Sequence, residues 1–154
     1  IKTYSAAPML DVQRYWEIVL FSWMTGNSDM HCKNFSLIDM GKGEYVLSPA
    51  YDLLAVLLVD PADTEEMAMS FSVGGEKSGF DRHTFMTAFT QSGISAAVAE
   101  KMIERMRTYL PKWKELVRQS FIPEKMKSAY CSLLEKRENA LTTFGAAVVY
   151  AKKT

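Results

Sequence analysis

Apolar side chains recur at intervals of three and four residues over most of this chain, and that period constrains its fold more than any other feature. From Met9 to Met24 the spacing predicts a helix with one buried face. It also predicts helices from Asp81 to Gln91, from Ser95 to Gln119 and from Pro123 to about Ala140. The chain is therefore expected to be mainly α.

Three residues mark where these helices should begin, end or bend. Asp11 is expected to cap the first helix, and Gly26 is expected to stop it. Pro111 falls inside the 95–119 segment, where its missing N–H predicts a kink or a break.

A small β element interrupts the helical pattern in the first half of the chain. The β-prone runs 35–38 and 44–47 flank a turn that contains two glycines, which predicts a hairpin. Alternation of apolar with smaller or polar residues predicts a third strand, which would include Met67, Met69, Phe71 and Val73. The expected fold class is thus mainly α (α+β), with a small hairpin.

The amino-acid composition limits the class of protein that this chain can be and the partners that it can bind. The 154 residues suit a single domain over 1–154. The 18 Lys and Arg are balanced by 18 Asp and Glu, so no direct binding of nucleic acid is expected. Cys32 and Cys131 form no metal or disulfide motif, which favours a reducing, cytoplasmic setting. The longest apolar run, 53–59, is too short to span a membrane, so no membrane partner is expected.

The polar loop at 26–34 carries the strongest chemical signal. In phosphoryl transfer an Asp accepts the proton of the acceptor hydroxyl, and an Asn five positions later helps to hold magnesium. Asp29 and Asn34 have this spacing. A second magnesium carboxylate should follow the hairpin, and Asp52 lies there.

Together, GNSDMHCKNFS at 26–36 and LSPAYDLL at 47–54 resemble the catalytic loop and metal-binding motif of HipA-like serine/threonine kinases, the toxins of bacterial toxin–antitoxin pairs. The resemblance covers most of the chain and implies the helical C-terminal lobe of a protein-kinase-like fold. It implies that Asp29 is the general base, and that Asn34 and Asp52 ligate Mg2+ on ATP. It further implies a nucleotide-binding set made of His31, Cys32, Lys33, Asn34, Tyr51 and Asp52.

The same resemblance implies a biological setting. Such kinases inhibit growth by phosphorylating a protein substrate, typically an aminoacyl-tRNA synthetase, and a small DNA-binding antitoxin restrains them. They also need a phosphate-covering loop and a strand lysine upstream of the catalytic loop. Only one predicted helix precedes Gly26, and the chain opens on Ile1 rather than Met. We therefore expect an N-terminal nucleotide-binding lobe that is absent from this chain, and a fragment that binds ATP weakly and does not turn over.

Two other functions remain open from the residues alone. The chain could be a catalytically silent domain that keeps a kinase fold in order to bind a partner. It could also belong to a small-molecule phosphotransferase, since such enzymes share the Asp-to-Asn loop chemistry.

Overall fold

The computed structural model describes residues 1–60, 66–69, 75 and 77–142. The expected fold, mainly helical with a small hairpin, is confirmed. A short 3-10 turn at Cys32–Asn34 precedes the hairpin. In chain order, the helices and strands of the described residues are α1 (Pro8–Met24), β1 (Leu37–Asp39), β2 (Tyr45–Leu47), α2 (Val56–Val59), α3 (Arg82–Gln91), α4 (Ala96–Gln119) and α5 (Glu124–Thr142).

Helix α1 begins at Pro8, whose fixed φ suits the first helical position. The expectation that Asp11 caps this helix is wrong, because Asp11 lies within its first turn and is fully buried. Its Oδ2 accepts hydrogen bonds from the Ser5 hydroxyl at 2.7 Å and from the backbone N–H of Leu47 at 2.8 Å. The carboxylate thus ties α1 to β2. Gly26 follows the helix with a φ of +80°, which agrees with its expected role as a stop.

Strands β1 and β2 form an antiparallel hairpin in which Ile38 pairs with Val46. All three residues of the 41–43 turn have positive φ, a region that glycine adopts without strain. The predicted hairpin is confirmed. Its first strand begins at Leu37 rather than Phe35.

The hydrophobic core lies around the C-terminal half of α1. Trp23 is fully buried there, with its ring 4.9 Å from that of Phe85 on α3. Phe85 in turn lies 5.9 Å from Phe89. Helix α4 supplies a stripe of buried residues, which comprises Ala99, Met102, Ile103, Met106, Leu110 and Val117.

Local signals fix the ends of the later helices. Asp81 and Ser95 cap α3 and α4, each accepting a backbone N–H three residues further on. Helix α4 continues through Pro111, so the alternative of a break there is wrong. Leu110 and Val117 are both buried, and this packing outweighs the low helix propensity of proline. Among the described residues, no helix combines the length and hydropathy needed to cross a membrane.

The predicted third strand is not formed at residues 66–69, the part of it that the structure describes. Met67 and Met69 lie in an irregular segment, while Phe71 and Val73 fall outside the described residues. The backbone N–H of Met69 donates to the carbonyl of Met30 at 3.0 Å. The segment therefore packs along the 26–34 loop instead of extending the hairpin.

Candidate catalytic site

The polar loop that follows α1 is fixed at its start by close packing. The Gly26 carbonyl accepts the backbone N–H of Leu57 on α2 at 3.0 Å. A Cβ at Gly26 would lie 2.6 Å from Cδ2 of Leu133 on α5. Glycine at this position therefore lets the loop pass between α2 and α5.

Asn34 and Asp52 are brought together across the hairpin. Asn34 Nδ2 donates to Asp52 Oδ2 at 2.6 Å, and Asn34 Oδ1 accepts the backbone N–H of His31 at 2.8 Å. Asn34 is buried, so both groups of its amide are committed to holding this geometry. The two residues expected to share a magnesium ion are therefore in contact.

Asn27 is a member of the site that sequence reasoning missed. It is buried, and its Nδ2 donates to the backbone carbonyl of Asp52 at 3.1 Å. Asp52 has a φ of +56°, an uncommon conformation for any residue but glycine. Asn27 therefore stabilises a strained backbone at the residue whose carboxylate contacts Asn34. Its place inside the 26–34 motif was the available signal, but the partner lies 25 positions away.

Asp29 is exposed at the centre of the loop, between two buried neighbours. The carbonyls of Ser28 and Met30 accept backbone N–H groups from Ala68, at 2.6 Å, and Met69, at 3.0 Å. The chain is thus anchored immediately before and after Asp29. An accessible carboxylate on anchored backbone is suited to accepting a proton from a bound substrate.

The remaining predicted site residues line the outer side of the loop. Cys32 and Lys33 are exposed, and the Tyr51 hydroxyl donates to the Lys33 carbonyl at 2.9 Å. His31 is half-buried, and its Nδ1 has no hydrogen-bond partner within the described part of the chain. The Tyr51 contact joins the loop to the segment that carries Asp52.

Tyr15 borders this loop but is held neutral. Its hydroxyl donates to Met69 Sδ at 3.3 Å, and Cys32 Sγ lies 3.9 Å from the same sulfur. Burial raises the pKa of Tyr15 to about 12, and the nearby Cys32 adds to the effect. Tyr15 therefore does not act as a proton acceptor near neutral pH.

The oxygen atoms of Asn34 and Asp52 suit Mg2+ better than they suit a metal ion that takes all its ligands from the protein. Asn34 and Asp52 present oxygen atoms, the ligands that Mg2+ prefers. Asp52 Oδ1 accepts no hydrogen bond from a described residue, and Asn34 Oδ1 keeps one lone pair beside the bond that it accepts from the His31 N–H. No group of three or more His, Cys, Asp or Glu in the described ranges could hold a metal. Mg2+ commonly takes one or two protein ligands and completes its shell with phosphates and water. The residues present match that pattern.

An apolar groove of about 700 Å3 borders the site. Leu53, the residue after Asp52, lies on its wall, as do residues of α1 and β2. Its full lining is Arg14, Glu17, Ile18, Phe21, Ile38, Val46, Leu47, Ser48, Pro49, Ala50, Leu53 and Met106. The segment that carries Asp52 thus runs along an open groove.

Comparison with known families decides the classification of the chain. The model of the HipA-like C-terminal domain matches residues 1–113, which include the whole 26–34 loop and Asp52. The chain belongs to the HipA-like C-terminal domain family. The resemblance inferred from the two motifs is therefore confirmed.

Two relatives from Sinorhizobium fredii (strain NBRC 101917 / NGR234) bear kinase names. This HipA-like domain is 32% identical over 102 residues to the protein named "Putative kinase Y4dM", covering 63% of the chain and 24% of that relative. It is 26% identical over 106 residues to "Putative kinase Y4mE", covering 69% of the chain and 25% of that relative. The chain thus spans about a quarter of these relatives.

A solved structure has the same fold. The HipA-like domain superposes on a chain from the Shewanella oneidensis MR-1 toxin–antitoxin complex of HipA, HipB and operator DNA with a TM-score of 0.74. Sequence identity is 19%, and the match covers 90% of this chain and 33% of the other. The helical lobe with its hairpin is therefore the HipA-like architecture.

Proposed function

We propose that this domain is the C-terminal catalytic lobe of a serine/threonine protein kinase, which transfers the γ-phosphate of ATP to a protein hydroxyl. The observation that carries the proposal is the 2.6 Å hydrogen bond between Asn34 and Asp52, with Asp29 anchored on the same loop as Asn34. This combination is what metal-assisted phosphoryl transfer requires of its C-terminal lobe.

In this proposal Asp29 accepts the proton of the acceptor hydroxyl as the oxygen bonds to phosphorus. Its exposure lets a substrate reach it, and the anchored carbonyls on either side fix its backbone. Positioning and electrostatics supply most of the rate enhancement in such reactions, so a fixed carboxylate is an advantage.

Asn34 and Asp52 would hold Mg2+, which when bound neutralises charge on the ATP phosphates. His31, Cys32, Lys33 and Tyr51 would line the nucleotide beside them. The exposure of Cys32 and Lys33 and the hydrogen bond from Tyr51 to the Lys33 carbonyl support this arrangement.

The rest of the active site would come from residues outside this chain. The relatives are about four times longer than the matched region, which leaves room for a nucleotide-binding lobe with its phosphate-covering loop and lysine. The 154 residues by themselves would then bind ATP weakly and not turn over.

The setting we propose is that of a growth-inhibiting toxin in the cytoplasm. The structural neighbour is described in complex with HipB and operator DNA, which supports a DNA-binding antitoxin as the partner of the whole protein. The proposed substrate of the whole protein is another protein, such as an aminoacyl-tRNA synthetase.

The test is phosphoryl transfer by the whole protein. It is incubated with Mg2+, ATP labelled at the γ-phosphate and cell lysate, alongside Asp29→Asn and the control Asp60→Asn, which alters an exposed carboxylate after α2. Labelled protein bands are expected for the unaltered protein and the control, and about 100- to 10,000-fold less label for Asp29→Asn. Absence of label would favour a silent interaction domain, and label on small molecules alone would favour a small-molecule phosphotransferase.

A further inference from the structure

A buried ion pair lies away from the residues that sequence reasoning selected. Arg137 Nη1 on α5 is 2.5 Å from Glu66 Oε1, and the two side chains are only 4% and 16% exposed. Glu66 belongs to the irregular segment after α2. The pair therefore joins that segment to the last helix.

Glu66 has further partners in the core. Its Oε2 accepts the indole N–H of Trp23 at 2.8 Å and the backbone N–H of Phe80 at 3.3 Å. The guanidinium carbon of Arg137 lies 4.7 Å from the centre of the Trp23 ring. One carboxylate thus connects α1, α5 and the residue before the α3 cap.

The charge on Glu66 is maintained despite burial. Burial by itself raises the pKa of this carboxyl, but the Trp23 hydrogen bond and the positive charge of Arg137 together bring it below its ordinary value. Buried ion pairs often add little stability over apolar residues of similar volume, and they are retained in some proteins because they specify a geometry.

The ion pair positions the backbone that follows Glu66 along the chain. The backbone N–H groups of Ala68 and Met69 donate to the carbonyls of Ser28 and Met30, on either side of Asp29. Glu66 also donates its own backbone N–H to the Lys77 carbonyl at 2.8 Å. The ion pair therefore holds the segment that anchors the candidate base.

We propose that Glu66 and Arg137 are positioning residues for Asp29, acting through the 66–69 segment, and that they set the rate of phosphoryl transfer rather than nucleotide affinity. This inference rests on the proposed function. A displacement of about 1 Å at a reacting group can lower a rate about 100-fold, so small movements of this segment should matter.

The experiment uses the whole protein with Glu66→Gln, which keeps an acceptor for Trp23 while removing the charge. A second variant, Glu66→Gln with Arg137→Met, removes both charges and keeps an acceptor for the buried Trp23 N–H, so that no charge is left unpaired should the first variant fail to fold. The control Glu135→Gln breaks a more exposed ion pair, which joins α5 to Lys114 of α4.

We expect kcat to fall about 10- to 100-fold in Glu66→Gln and in the double variant. The Kd for a non-hydrolysable ATP analogue should stay within about twofold, and the control should match the unaltered protein. Hydrogen exchange at the amides of Ala68 and Met69 should accelerate about tenfold or more. An unchanged kcat, or a loss of nucleotide affinity as large as the loss of kcat, would overturn the inference.

The exchange measurement separates this inference from the proposed function. If the unaltered protein transfers no phosphate and Asp29→Asn behaves identically, the proposed function fails. Exchange at Ala68 and Met69 then decides alone whether the pair positions the loop: faster exchange supports it, and unchanged exchange contradicts it.

Discussion

Asn34 Nδ2 donates a hydrogen bond of 2.6 Å to Asp52 Oδ2, across 18 positions of sequence that contain the β-hairpin. The same amide accepts the backbone N–H of His31, so one buried side chain fixes both the end of the 26–34 loop and the carboxylate that follows the hairpin. The two candidate metal ligands are consequently held in place by the fold itself.

Replacing Asn34 with Ala should destabilise the protein. The change removes the bond to Asp52 and the acceptor of the half-buried His31 N–H, and the loss of these two hydrogen bonds should cost about 1–3 kcal/mol. Denaturant unfolding monitored by tryptophan fluorescence measures the loss. Gln91→Ala, which removes an exposed side-chain amide at the end of α3, is the control and should change stability by less than about 0.5 kcal/mol. Equal effects of the two changes would show that the Asn34 bonds do not contribute.

Asp11 should make the free energy of unfolding depend on pH. Burial by itself raises its pKa, but hydrogen bonds from Ser5 and the Leu47 N–H, together with the charge of Arg14, lower the pKa below its ordinary value. A carboxyl with a depressed folded-state pKa stabilises the fold above its unfolded pKa of about 4, and this contribution disappears as pH falls through the lower folded value. Unfolding free energy measured from pH 7 down to pH 3 should therefore fall less steeply in Asp11→Asn than in the unaltered protein. Identical slopes would contradict this assignment.

Two glycines provide a matched pair of substitutions. Gly26 and Gly41 have φ of +80° and +91°, so an alanine at either should cost about 1–2 kcal/mol in backbone strain. Only at Gly26 would the added Cβ meet a neighbour, Leu133 Cδ2. Because that atom ends a flexible side chain, we expect a further cost of about 1 kcal/mol. In a double-mutant cycle, Leu133→Ala should remove the further cost, and independent effects of the two changes would rule out the contact.

Much of the fold could be predicted because it depends on residues that are close together in sequence. The α3 boundaries follow from the Asp81 cap, and the hairpin follows from the two glycines of its turn. Asp11 was misread because its type suits a cap, whereas its actual partner, Leu47, lies on a strand 36 positions later. The local sequence predicts a kink or break at Pro111, whereas the packing that keeps α4 continuous there involves residues from other elements.

The same distinction applies to the site. Asn34 and Asp52 were expected to converge, since the chemistry requires a second magnesium carboxylate after the hairpin, and they are in contact. Asn27 was missed because its partner is a backbone carbonyl, which carries no side-chain signature in sequence. Glu66 and Arg137 were missed because nothing in either local segment points to the other.

The most direct test of the proposed site is calorimetric titration of a non-hydrolysable ATP analogue into the whole protein, with and without Mg2+. Asp52→Asn is compared with Asp39→Asn, an exposed carboxylate at the end of β1. We predict that Mg2+ tightens binding in the unaltered protein and in Asp39→Asn, and that this dependence is lost in Asp52→Asn. Nucleotide binding that is indifferent to Mg2+, or equally Mg2+-dependent in Asp52→Asn, would contradict the assignment of Asn34 and Asp52 as the metal site.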